Sequence, residues 1–296
     1  MATNKGIHFQ PRDLSLLAEL GEAALLDTPT IHARHFPKDK SQRACRRRLR
    51  EFEAHDLIQS VHISVVRTDR VGRMPAIHRL TVEGADLVQA EFGFRPLRTA
   101  RSEPPKPNTL LHRLGMAKVL LAMNDACRLQ GLPKPGWILE YDSHPNVPPN
   151  AKLTERYILC RDCIRPGGSL RRSWPDAACQ LTIPAQGRDW RLTILWEYDR
   201  STERKDELVE KLVGLQPLID TGTWRQFFPN SDDVRIFFVV PSEQRIRNLI
   251  ELFRDSPLAR YLRFAVAATV TPTRAIQDAI WSTTTGDSRP IFARQQ

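Results

Sequence analysis

Two stretches of the chain carry residues whose types and spacing suit chemistry. The first is acidic. Asp176 follows Pro175 at the head of one strand-like run, and Glu197-Tyr198-Asp199 closes the next. Alternate residues of a strand share a face, so Glu197 and Asp199 point the same way. A turn over 184–188 pairs the two runs as a hairpin. Three carboxylates at one sheet edge suit a hard divalent cation such as magnesium, which takes oxygen ligands and assists phosphodiester hydrolysis. The plainer reading has Asp199 capping or pairing with Arg200 and Asp176 starting a turn, and spacing alone leaves both open.

The second stretch is basic. On a 3.6-residue period Cys45, Leu49 and Phe52 form one apolar stripe, and Arg43, Arg46, Arg47 and Arg50 project from the opposite face. Lys38 and Lys40 stand just before it. Such a helix fits the major groove of B-form DNA, where arginine pairs with guanine edges or with phosphates. Arg67, Arg70 and Arg73, in the turn between two β-rich runs, would be wing contacts. A merely solvated basic face is the alternative.

The elements that must position these residues follow from periodicity and punctuation. Helices are expected over 13–26, from Thr28-Pro29 to just before Pro37, and over 41–54. Strands follow at 58–66 and 76–80, then a helix at 81–91. Three helices and a two-stranded ribbon is the order of a winged helix-turn-helix over residues 10–94. Residues 95–108, with Pro104, Pro105 and Pro107 close together, read as a linker. From 109 to 285 the expected order is a long helix (109–129), strands at 157–164, 179–183 and 190–198, a helix at 202–218, a strand at 234–240, a helix at 242–253 and a strand at 261–270. That order argues for an α+β chain whose second domain is built around a mixed sheet. The tail after Trp281 reads as irregular.

Composition narrows the class. The 296 residues contain 44 Lys plus Arg against 34 Asp plus Glu, a net charge of +10, which favours a polyanionic partner. No apolar run approaches the roughly 20 residues of a membrane span. Five cysteines, odd in number and sparse, point to a reducing cytoplasm and not to a disulfide framework. Cys160 and Cys163 have the spacing of half a zinc site, but no matching pair is visible, so two partly buried thiols are expected. Arg245, Arg247 and Arg254 either line a phosphate-facing helix or sit on ordinary wet surface.

The pair of Asp176 with Glu197-Tyr198-Asp199 resembles the PD-(D/E)-x-K, or restriction-endonuclease-like, nuclease fold. More narrowly, the chain resembles the replication-relaxation family of bacterial plasmids and integrative elements over about 13–270. Arg46-Arg47-Arg48-Leu49, His55-Asp56-Leu57-Ile58, His78-Arg79-Leu80-Thr81 with Gly84-Ala85, and Leu111-His112-Arg113-Leu114 carry that likeness. Pro175-Asp176-Ala177 and Glu197 through Glu203, ahead of a helix holding Lys211-Leu212, complete it. The resemblance implies an N-terminal winged helix, a nuclease-like second domain, and work on double-stranded DNA beside a relaxase or replication initiator.

One departure bears on activity. Active nucleases of that fold carry a lysine two residues after the second acid; here that residue is Asp199. Lys205 or Lys211 from the following helix would have to serve, with Arg200 adjacent and Glu140 a further carboxylate. An active enzyme would hold magnesium on Asp176 and Glu197, with Asp199 and Lys211 in attendance. The expectation adopted is an inactive or repurposed domain and no cofactor. A magnesium-dependent endonuclease is the rival reading, and a transcriptional regulator whose second domain dimerises or senses a ligand is the other.

Overall fold

The computed structural model describes residues 7–66, 71–94, 96, 98–100, 103–148, 150–164, 168, 170–185 and 187–292. Arg67 and Arg70 therefore lie outside the described residues, and of Arg73 only the backbone is described. The chain is a mixed α+β protein and divides into two compact units between Lys118 and Val119.

Unit one runs α1 (Pro11–Ala23), β1 (Leu26–Asp27), α2 (Thr28–His35), α3 (Arg43–Ala54), β2 (Ile58–Val61), β3 (Ser64–Val66), β4 (Val71–Arg73), β5 (Ile77–Leu80) and α4 (Val82–Phe92). β5 lies between β1 and β2, antiparallel to both, and β3 and β4 form a separate hairpin. The expected strand at 58–66 is thus broken at 62–63. α3 starts at Arg43 instead of Ser41 because Gln42 takes a left-handed backbone (φ 58°) and Asp39 Oδ2 accepts from Cys45 N at 3.0 Å. Cys45, Leu49 and Phe52 are buried, as helical spacing requires. Gly84 is needed where α4 begins, since a Cβ there would lie 2.2 Å from the Leu57 carbonyl oxygen.

A buried polar relay ties this sheet to α2. Thr28 Oγ1 donates to Ala76 O at 3.3 Å and lies 2.9 Å from His78 Nε2, while Ser60 Oγ lies 3.0 Å from His78 Nδ1. With the Thr28 proton committed, His78 Nε2–H donates to Thr28 and Ser60 donates to Nδ1. Burial pulls the His78 pKa down from 6.5 to about 4, so the ring is neutral at pH 7 and Nδ1 is free to accept from Ser60. The unfolded chain binds the extra proton between those values, so the stabilisation is present above pH 6.5 and is lost as pH falls toward 4. Some 2.5 pKa units correspond to roughly 3 kcal/mol. Thermal melts between pH 7.5 and 4.5 should show that loss and show it flattened in His78→Gln; parallel curves would refute it.

Helix α5 (Pro107–Leu129) spans the unit boundary. Unit two continues with β6 (Gly136–Leu139), α6 (Leu153–Arg156), β7 (Arg161–Ile164), β8 (Leu170–Ser173), β9 (Ala177–Ala185), β10 (Arg188–Tyr198), α7 (Lys205–Asp220), β11 (Asp233–Val240), α8 (Glu243–Phe253), β12 (Leu262–Val266), β13 (Trp281–Ser282) and β14 (Ser288–Arg289). Its seven-stranded sheet has the order β14-β13-β12-β11-β10-β9-β6. β10, β11 and β12 are parallel and the remaining pairings antiparallel, so the sheet is mixed.

Alternation along β10 sorts the two faces. Leu195 joins Leu208, Leu212 and Leu215 of α7 and Ile246, Leu249 and Phe253 of α8 in one core. Trp196 points the other way and packs on Trp137, Phe237 and Trp281 at centroid distances of 5.8, 5.2 and 5.8 Å. Two expectations are corrected. The apolar run at 157–164 is not one strand: Cys160 N donates to Tyr157 O in a turn, and only β7 remains extended, paired with β8. The tail is not irregular throughout, since β13 and β14 extend the sheet.

Candidate functional site

Helix α3 presents Arg43, Arg46, Arg47 and Arg50 to solvent. Arg46 donates to Gln42 Oε1 at 3.1 Å, one turn back, and Arg50 Nε to the Arg46 carbonyl. Among the described residues none of the four pairs with a carboxylate. At 100° per residue they span a contiguous sector of about 100°. Lys40 stands exposed just ahead of the helix. The fifth arginine behaves differently. Arg48 Nη2 donates at 2.5 Å to Oδ2 of Asp13, which is fully buried, and Nη1 donates to Glu51 at 2.7 Å. Arg48 thus anchors α3 to α1, a structural role that the uniform Arg46-Arg47-Arg48 run conceals.

The acidic residues gather in unit two. Asp176, just before β9, donates its N–H to Trp196 O at 3.1 Å, and its Oδ2 accepts from Tyr198 N at 2.7 Å. These bonds clip the start of β9 to the end of β10. Glu197 lies two residues after Leu195 and therefore faces α7 and α8. There Lys211 Nζ of α7 sits 2.7 Å from Glu197 Oε2, 3.0 Å from Glu203 Oε1 and 3.8 Å from Asp176 Oδ1. Asp199, two residues further on, meets a different helix: Arg245 Nε of α8 donates to its Oδ2 at 2.5 Å and Arg245 Nη2 to the Glu203 carbonyl.

The structure therefore brings Asp176, Glu197 and Lys211 together and adds Glu203, whereas Asp199 is neutralised by Arg245. Arg245 is half-buried and paired with the buried Asp199. Glu203 lay within the acidic motif in the sequence; Arg245 is 46 residues from its partner and carries no local signal. Lys205 at the α7 start is exposed.

Burial pushes the Glu197 carboxyl above the ordinary carboxylate range, against Lys211, which draws it down; Asp176 and Glu203 add to the rise. Lys211 is likewise lowered by burial, but the carboxylates of Glu197, Asp176 and Glu203 outweigh that and hold it above the usual lysine value. Three carboxylates thus face one ammonium, and Glu197 Oε1 is a buried oxygen with no hydrogen-bond partner. Hard oxygen donors, one of them unsatisfied, fit a magnesium-type cation in donor chemistry.

Cys160 and Cys163 are free, buried thiols whose pKa values burial raises. Among the described residues, no helix is long and apolar enough to cross a membrane.

The family model described as replication-relaxation matches residues 17–230. No curated protein matches the chain. Among solved structures, the restriction endonuclease FokI aligns at 11% identity over 88% of this chain and 68% of its own, with a TM-score of 0.21. Similarity that low carries no argument about fold.

Proposed function

The chain belongs to the replication-relaxation family, and on that footing we propose that it binds duplex DNA in the replication or mobilisation of a plasmid or other mobile element. Residues 10–94 form the winged helix and α3 enters the major groove, while residues 109–285 form a nuclease-like domain that has lost or changed its activity. One observation carries the reading: four solvent-exposed guanidinium groups share one sector of α3 and none has an acidic partner among the described residues. Unpaired arginines on a rigid helix release counterions when they meet phosphates. The element order of unit one, α1, α2 and α3 with the short β1 after α1, then β2, the β3–β4 hairpin and β5, supports the same reading, as does the net charge of +10. Lys40 flanks the groove contact. Double-stranded DNA is the primary partner; a relaxase or initiator is the expected protein partner. Titrating a labelled 30-base-pair duplex by fluorescence anisotropy tests this: saturable binding that weakens steeply with salt is expected, and no binding at low salt would end the proposal.

The Lys211 geometry favours a second reading, a metal-dependent endonuclease. Asp176 and Glu197 would hold magnesium, which would polarise a phosphodiester and supply a metal-activated water. Lys211 would then hold charge beside the scissile phosphate from α7, in place of the lysine absent at Asp199. Incubating supercoiled plasmid with excess protein and magnesium or manganese separates the two readings. Nicking that disappears in Glu197→Ala would establish the enzyme; intact plasmid under both metals leaves the binding protein.

A further inference from the structure

We infer that the cleft between α3 and the β-strands of unit one is a binding site for a mononucleotide-sized phosphate ligand, which competes with DNA for Arg46 and Arg50. The competition rests on the duplex-binding reading; the cleft itself does not. Its volume is about 710 Å³, inside the roughly 300–1,000 Å³ range of small-molecule sites. Arg46 and Arg50 line one edge. Arg43 and Arg47 do not line it, so only half of the basic sector is shared.

The rest of the lining selects the ligand's chemistry. Leu49 and Met74 supply an apolar wall, Glu53 a carboxylate, and Ser60 a hydroxyl. The floor is closed by Thr28 and His78, whose relay commits the Ser60 proton to His78 Nδ1 and leaves the Ser60 oxygen as an acceptor. Arg46, Arg50 and His62, the apolar groups of Met74, Pro75 and Ala76, and the Glu53 and Ser60 oxygens offer partners for a phosphate, a base and the donor groups of a sugar or base edge. A bare phosphate would leave the apolar wall unused and meet the Glu53 charge. A fatty carboxylate would bring no donor for the Ser60 oxygen or for the Glu53 oxygen that does not already accept from Ser60 N at 3.2 Å.

The test titrates the full-length chain with N-methylanthraniloyl-ATP and then displaces the probe with ATP, AMP and inorganic tripolyphosphate. Saturable binding, displaced by ATP and AMP far better than by tripolyphosphate, is expected. Arg46→Ala and Arg50→Ala should each weaken it about tenfold, while Arg43→Ala and Arg47→Ala stay within about twofold of wild type. Nucleotide at about ten times its Kd should weaken duplex binding about tenfold. No saturable signal up to about 1 mM, equal displacement by tripolyphosphate, or equal losses in all four variants would overturn the site. The expected variant pattern in a protein that ignores duplex would uphold the cleft and place the failure in the duplex-binding reading.

Discussion

Lys211→Met will destabilise the second unit by about 3–5 kcal/mol, the loss expected when one partner of a buried charge pair is removed. The ammonium is the cation nearest Glu197, at 2.7 Å, and it also contacts Glu203. Methionine matches its length but leaves a carboxylate that is 1% exposed without a counter-charge. The second change is diagnostic. Lys211→Met with Glu197→Gln removes the charge from both partners at nearly constant volume and should recover most of the loss, because a neutral pair avoids the desolvation cost. The pH dependence has a definite sign. A lysine whose folded pKa is raised contributes fully below its unfolded value near 10.4 and loses that contribution only at higher pH, so the whole deficit is present at neutrality. In the single variant the deficit should shrink as pH falls and Glu197 takes up a proton. Urea melts at pH 5 and pH 8 measure both effects; a loss under 1 kcal/mol, or no recovery in the double variant, would show that Lys211 does not neutralise this cluster.

The second large effect concerns the proposed duplex face. Arg46→Ala with Arg47→Ala should reduce duplex affinity by between tenfold and a hundredfold at about 0.1 M salt. Each phosphate contact contributes a slope near −0.9 in log K against log salt, which is almost one decade per contact between 1 M and 0.1 M. Both side chains are exposed, and alanine is the better helix former, so the loss cannot be credited to unfolding if circular dichroism is unchanged. Arg48→Ala provides the contrast. It removes the 2.5 Å ion pair of fully buried Asp13, leaving Gln10 N at 2.9 Å and Arg12 Nε at 3.7 Å, and should lower stability first. Sequence position places these three arginines side by side; burial separates their roles.

Elements with strong periodicity were legible in the amino-acid sequence. Cys45, Leu49 and Phe52 repeat at helical spacing, and the hairpin of β9 and β10 follows from two apolar runs with a turn between them. Its register carries Asp176 to the end of β10. Long-range partners were not legible in the same way. The sequence offers both Lys205 and Lys211, of which Lys211 is the one adopted, and only the pitch of α7 against the sheet decides which lysine reaches Glu197. Arg245 meets Asp199 through the packing of α8, a contact without a local pattern. β13 and β14 are two residues each, too short for alternation to register. Tyr157 to Ile164 is apolar enough for a strand, yet its first half turns because Cys160 bonds back to Tyr157.

Plotting log Kd against log salt for one duplex, with wild type beside the Arg46→Ala, Arg47→Ala protein, addresses the groove-facing helix most directly. The wild-type slope should be steep, and the double variant should lose close to two units of it. Superimposable lines would place the phosphate contacts elsewhere on the protein and contradict the assignment of α3.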